Sequence, residues 1–319
     1  MWGKVNAWSR WARLGAVVSL AVMAAACGGG SAIEPFKPTR MTVYGDEMSL
    51  MEAGGRKYSV NAAALDPAAV DCSGNPLWIQ TLASAFKLVF AECNPATAAV
   101  TAQIYAVKGA KASDFSSQLA RAQAAAPLAS KQLAAVFFGL NDILELYAQY
   151  PTRSRDELLA EMRQRGVNLG NAVNQVTTLG PAVLLVTAPD LGLAPFGLAQ
   201  TAAFSDTAPT RGKFLSELTD AFNAGLRVTI INDGRFIGLV SADQMVRDIQ
   251  GNFAAFYGFA NVTQAACKPD VALLDCTVQT LVEGANGLTW AFADDKLFSA
   301  GLQARLGDIA ASRALRNPF

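Results

Sequence analysis

The chain has 319 residues, with 26 basic and 26 acidic side chains and no histidine. A formal charge of zero with no basic stripe excludes the electrostatic footprint of a nucleic-acid-binding protein. Without histidine, the side chain that titrates nearest neutrality is missing, and a serine nucleophile would have no ordinary base.

The first 26 residues carry Lys4, Arg10 and Arg13 and no acid, then an apolar run from Leu14 to Ala26. This is the pattern of a signal peptide, and the run falls short of the ~20 residues of a spanning helix. Ala24-Ala25-Ala26-Cys27 resembles a bacterial lipobox, with Ala24 where leucine is usual. The expectation is cleavage before Cys27 and a lipid on it; plain secretion and a retained anchor are the other readings. Gly28 resembles the sorting pattern of Gram-negative outer-membrane lipoproteins, so the expected location is the bacterial cell envelope, held to the membrane through the N-terminal lipid. Removing 26 of the 319 residues leaves 293, with 23 basic against 26 acidic groups, a charge of −3. Pro35 and Pro38 mark residues 27–40 as a tether, and residues 41–319 read as one domain.

Within that domain, apolar runs of strand length occur at 41–44, 103–107, 134–138, 182–187 and 236–240. Helical patterns lie at 113–125, 155–178, 210–228, 242–249 and 299–315. Strands alternating with helices, and apolar on both faces, predict an α/β fold with a central parallel sheet covered on each side. In such a sheet, ligands bind beyond the carboxyl ends of the strands.

Four cysteines remain after Cys27. Export to an oxidising compartment predicts two disulfides, and closeness in sequence pairs Cys72 with Cys93 and Cys267 with Cys276. Four cysteines allow three pairings. A tetrathiolate zinc site is the competing reading, and the paired C-x-x-C spacing it needs is absent. No metal and no cofactor are expected.

The residues following the strands carry the chemistry. They are Gly45-Asp46-Glu47-Met48-Ser49, Lys108-Gly109-Ala110, Gly139-Leu140-Asn141-Asp142 and, before the last helix, Asp294-Asp295-Lys296-Leu297. In order and spacing this set resembles the SGNH/GDSL hydrolase family of lipases and esterases. The stretches 186–192, 221–226 and 257–267 resemble its larger bacterial lipase branch. The resemblance runs from about Met41 to Leu315 and implies a three-layer α/β/α, flavodoxin-like fold.

It further implies a role for each position. The nucleophile serine of the family is replaced by Glu47. Gly109 and Asn141 match the two oxyanion-hole donors. Asp294 matches the acid that orients the base, and Leu297 stands where the base histidine belongs. Nucleophile and base are both absent, and in a triad either loss alone removes nearly all of the acceleration. The preferred expectation is a non-catalytic, lipid-anchored protein that binds a lipid, a glycan or another envelope protein. An active ester hydrolase with a non-standard nucleophile or base is the alternative.

Glu47 is expected to reach into the oxyanion hole as a built-in mimic of the anionic intermediate, with Lys108 or Lys296 as ion-pair partner. An exposed Glu47, an acid facing a ligand, and a carboxylate pair with Asp294 or Asp295 are competing readings. Ser49 is a distant candidate for a displaced nucleophile; otherwise its hydroxyl serves the loop backbone or caps the next helix. Asp142 is expected to cap the helix that begins there, with substrate contact as the rival, and Leu297-Phe298 to fill core, with a lipid slot as the rival. Phe253, Phe256, Tyr257 and Phe259 read as a packed loop, with an acyl-binding cleft as the rival. Asn261-Val262-Thr263 matches the N-glycosylation pattern and is read as idle.

Overall fold

The computed structural model describes residues 36–66, 69–205 and 208–316. The expected signal peptide and lipid-bearing Cys27 lie outside these residues. Among the described residues, no helix is long and apolar enough to cross a membrane.

Five strands form one parallel sheet: β1 (Arg40–Gly45), β2 (Ala102–Ile104), β3 (Gln132–Phe137), β4 (Ala182–Val186) and β5 (Ile237–Val240). Their spatial order is 2-1-3-4-5. β3 and β4 are buried along their whole length, as strands covered on both faces must be. The helices between and after them are α1 (Trp78–Ala85), α2 (Phe115–Ala125), α3 (Leu140–Tyr147), α4 (Arg155–Thr178), α5 (Pro195–Ala203), α6 (Arg211–Thr229), α7 (Ala242–Asp248) and α8 (Ala300–Leu315). A smaller parallel pair, β6 (Asn261–Ala265) and β7 (Trp290–Phe292), stands apart from the main sheet.

Two neighbouring residues at the end of β3 reveal the layering, because successive side chains of an extended chain point to opposite faces. Phe137 packs edge-on against Trp78 of α1, and Phe138 against Phe115 of α2. α1 pairs with α8 on the first face; on the second, α4 runs along α6 with α2 and α3 beside it. The result is a three-layer α/β/α sandwich with the flavodoxin-like strand order.

Local signals explain several boundaries. Ser154 caps α4 by accepting the Glu157 N–H while the Glu157 carboxylate accepts the Ser154 N–H, a reciprocal capping box. Thr210 caps α6 through the Lys213 N–H. The segment read as tether meets the fold earlier than residue 41. Thr39 N donates to the Lys131 carbonyl, Arg40 pairs with Gln132, and Phe36 packs against Phe86.

The two disulfides join Cys72 to Cys93 and Cys267 to Cys276. Beside the first lies a fully buried cation: the Lys57 ammonium donates to the carbonyls of Cys72, Gly74 and Asn75 at 2.7–3.0 Å. Burial pulls its pKa down to about 8. Three carbonyl acceptors match the three donors of an ammonium group, so this charge is a fastener of the chain around Cys72.

Candidate functional site

In the order 2-1-3-4-5, the chain turns one way from β1 to β2 and the other way to β3, leaving a crevice beyond the carboxyl ends of β1 and β3. Three loops enter it.

The first follows β1. Gly45 is clamped on both backbone groups by the buried Gln118 of α2, whose side chain accepts from its N–H and donates to its carbonyl, both at 2.9 Å. Asp46 then accepts the Met48 N–H at 3.0 Å and opens a single 3-10 turn, Glu47–Ser49. Met48 and Ser49 are turned into the core, and Glu47 is turned outward, half-buried.

The second follows β2. Gly109 sits at φ +75°, a left-handed conformation that glycine adopts without strain, and its N–H points at Glu47. The third follows β3. Gly139, at φ +121°, lets the chain turn into α3; a Cβ there would lie 2.5 Å from that of Ala188. This turn brings Asn141, second residue of α3, over the same point.

The outcome is a closed set of contacts. Glu47 Oε2 accepts from Gly109 N at 2.7 Å and from Asn141 Nδ2 at 3.2 Å. The Asn141 amide also donates to the Ala110 carbonyl at 3.2 Å, which fixes which way it faces. The carboxylate sits where both donors converge, as in a site built for developing negative charge.

Its expected ion-pair partners are elsewhere. Lys296 pairs with Asp295, and the Lys108 ammonium lies 5.5 Å from the centre of the Tyr58 ring. Among the described residues, no ion pair joins either lysine to Glu47. Hydrogen bonds from neutral donors, together with partial exposure to water, satisfy the charge instead.

Ser49 has no accessible surface, and its hydroxyl accepts the Trp78 indole N–H at 3.1 Å. It neither serves the loop backbone nor caps a helix, and it does not face the crevice. Asp142 does not cap the helix that begins beside it: it accepts the Ala112 N–H at 2.8 Å and pairs with Arg165 at 3.2 Å. It ties the loop after β2 to α3 and α4, and burial raises its carboxyl above the ordinary range.

The fourth block follows β7. Asp294 Oδ1 accepts the N–H groups of Lys296 (2.8 Å) and Leu297 (2.6 Å), and the Leu297 carbonyl accepts from Ala293 N at 2.8 Å, closing a tight turn. Leu297 is 5% exposed, and Phe298 is buried edge-on against Phe292. Burial raises the Asp294 carboxyl above its ordinary value.

Glu47, Asp294 and Leu297 line one cleft of about 840 Å³, within the range of small-molecule sites. Much of its remaining wall comes from a segment the sequence reading assigned no role in a site, residues 268–274, closed into a loop by the Cys267–Cys276 disulfide. Asn61 pins this loop, its amide donating to the carbonyls of Leu273 and Cys276 at 3.2 and 3.3 Å. Arg56 adds bonds to the Leu274 carbonyl and to Asp275. The apolar run 271–274 between two nearby cysteines was the available signal. The cluster around Tyr257 does not line the cleft: Phe253 packs tilted and Phe256 edge-on against Tyr257 at the surface, Phe256 being 80% exposed. Among the described residues, no group of ligands could hold a metal ion.

No protein-family model matches the chain, and no curated protein does. Solved structures to which it is similar include an extracellular lipase from Streptomyces rimosus, at 14% identity and a TM-score of 0.44, covering 87% of this chain and all of that one. An acetylxylan esterase from Geobacillus stearothermophilus is similar at 10% identity and a TM-score of 0.43, with 88% and 95% covered. A lipase/acylhydrolase from Enterococcus faecalis is similar at 13% identity and a TM-score of 0.40, with 86% and 94% covered.

Proposed function

We propose that this chain is a member of the SGNH/GDSL hydrolase family that has given up ester hydrolysis and serves the bacterial envelope as a lipid-anchored binding protein. One observation carries the reading: Glu47 Oε2 occupies the point where the Gly109 N–H and the Asn141 amide converge. An acyl group could use those donors only by displacing the carboxylate. No hydroxyl stands in its place, and Leu297 at the base position has no group that could accept a proton from one. What remains of the machinery is the cradle and the adjoining cleft, and a cleft that does not turn its ligand over binds it.

The rival reading, an active hydrolase, needs a nucleophile, and Ser49 is fully buried with its oxygen engaged by Trp78. Short-chain ester hydrolysis should be measured for the wild type, Ser49→Ala, and the pair Glu47→Ser with Leu297→His. The expected result is background turnover in the first two. The double variant should gain about a hundredfold or more, the contribution of a positioned base to a nucleophile that can attack. A wild-type rate well above buffer that disappears in Ser49→Ala would overturn the proposal. The anchor has its own test, incorporation of an acyl label into the full chain that is abolished by Cys27→Ala.

A further inference from the structure

We infer that the end of the domain opposite the cleft rests on an anionic bilayer surface, with the cleft facing away from the membrane. The inference rests on the lipid anchor proposed above and adds the face that meets the lipid.

The five strands of the main sheet are parallel, so their first residues lie along one edge. Register places Met41, Ala102, Leu133 and Ala182 in one row, with Val183 beside Ile237. The segments leading into the strands are therefore neighbours. Thr39 N donates to the Lys131 carbonyl at 2.8 Å, and Val183 N to the Phe236 carbonyl at 2.7 Å. A Cβ on Gly180 would lie 2.8 Å from Ser130 N, and Ile231 N donates to Asn174 of α4 at 2.9 Å.

Hydrocarbon and positive charge share this edge. Val100, Leu179, Ile231 and Phe236 stand shortly before β2, β4 and β5 and are 42–58% exposed. Such side chains gain when lipid replaces the water around them. The segments 36–39, 98–101, 126–131, 179–181 and 230–236 hold Lys37, Lys131 and Arg235 against one acid, Asp233, which pairs with Arg235. Lys87 joins the same edge, because Phe86 beside it packs on Phe36. Lys37, Lys87 and Lys131 are exposed and form no ion pair among the described residues. The tether adds one acid, Glu34, and the edge stays positive. Apolar side chains among unmatched ammonium groups fit a layer of acidic phospholipid headgroups.

The point where the chain enters the domain agrees. The described residues begin at Phe36, four residues before β1, and residues 27–35 separate it from Cys27. However those residues run, they span at most about 30 Å. An acyl group on Cys27 therefore holds this edge at a high local concentration of lipid.

The test uses the lipidated chain on vesicles of phosphatidylethanolamine and phosphatidylglycerol that carry nitroxide lipids. A fluorescent thiol label is placed at Ile231→Cys or, at the cleft end, at the exposed Val107→Cys. The label at position 231 should be quenched and that at position 107 should not. Lys37→Gln with Lys87→Asn and Lys131→Asn should shift the ratio of docked to undocked chains about a hundredfold toward undocked. Lys87 and Lys131 sit at φ +58° and +61°, which asparagine tolerates, and an unchanged thermal midpoint checks the fold. Phosphatidylcholine vesicles, or salt of about 1 M, should release the edge in the same way. Equal quenching at both positions, or quenching at position 231 that survives the triple variant, would overturn the inference. So would energy transfer between labelled copies in place of lipid quenching, which would give the edge to a second copy of the chain. A chain that floats with the vesicles and shows no quenching at position 231 would lose the face and keep the anchor. One that stays in the soluble fraction would lose both.

Discussion

Two corners of the cleft hold their side chains in opposite physical ways. At the first, the Glu47 carboxylate is held by N–H donors from two other loops at 2.7 and 3.2 Å. At the second, the aliphatic Leu297 is absorbed into the core at 5% exposure, while Asp294 accepts backbone N–H groups of its own turn. A polar corner holds a charge and an apolar one a hydrocarbon, so each side chain suits its own surroundings.

The largest effect should come from moving a charge to the hydrocarbon corner. Leu297→Asp places a carboxylate among buried neighbours whose N–H groups Asp294 already uses, and should destabilise the chain by about 3 to 5 kcal/mol in urea unfolding. A loss below about 1 kcal/mol would break the comparison, since that corner would then accept charge as readily as the other.

Next in size is the disulfide that supports the same corner. Cys267 N donates to the Ala293 carbonyl at 2.9 Å, one residue before Asp294. Replacing Cys267 and Cys276 by serine should cost about 2 to 3 kcal/mol in the chain-entropy account. Hydrogen exchange should quicken at the amides of residues 267 and 268 and stay unchanged at Gly109. Equal loosening of both corners would show that they are not independently built.

The reciprocal change, Glu47→Leu, leaves the Gly109 and Asn141 donors without their acceptor. Water reaches this exposed loop, so the expected loss is only about 1 to 2 kcal/mol. A cycle with Asn141→Ala should show that the two losses do not add, because both variants break the same bond.

The smallest effect is electrostatic. Burial raises the Asp294 carboxyl above its ordinary value of 3.8. Between that value and the raised one, the folded chain keeps a proton the unfolded chain has released, so stability falls as pH rises through the window. Asp294→Asn, which keeps the oxygen acceptor for Lys296 and Leu297, should flatten this fall, which is at most about 1.4 kcal/mol per pH unit. Denaturant midpoints from pH 4 upward measure it, and parallel curves for both proteins would exclude Asp294 as the source.

All five strands of the main sheet were legible within a few residues, and α4 to the residue, because long periodic segments carry their own signal. α1, α5 and the β6–β7 pair were not read. α1 opens at Trp78 with no side-chain cap from its N-cap residue, and β6 pairs with β7 about 25 residues on, so their existence depends on partners distant in the chain. Glu47, Gly109 and Asn141 were legible as residues following strands, and their convergence as an expectation. The lysines were misread, because adjacency in sequence fixes where the backbone goes but not where a long flexible side chain points. Ser49 and Asp142 were misread for the related reason that Trp78, Ala112 and Arg165, which engage them, lie 23 to 30 residues away.

The sequence alone determined the alternation of strands and helices, the absence of any histidine and the residue type at each position of the candidate site, since these depend on local pattern and identity. Tertiary structure alone decided that one Glu47 oxygen meets two donors from two other loops, and that a disulfide-closed segment more than 200 residues from Glu47 forms the cleft wall. Convergence of that kind is set by packing in space, for which spacing along the chain carries no measure.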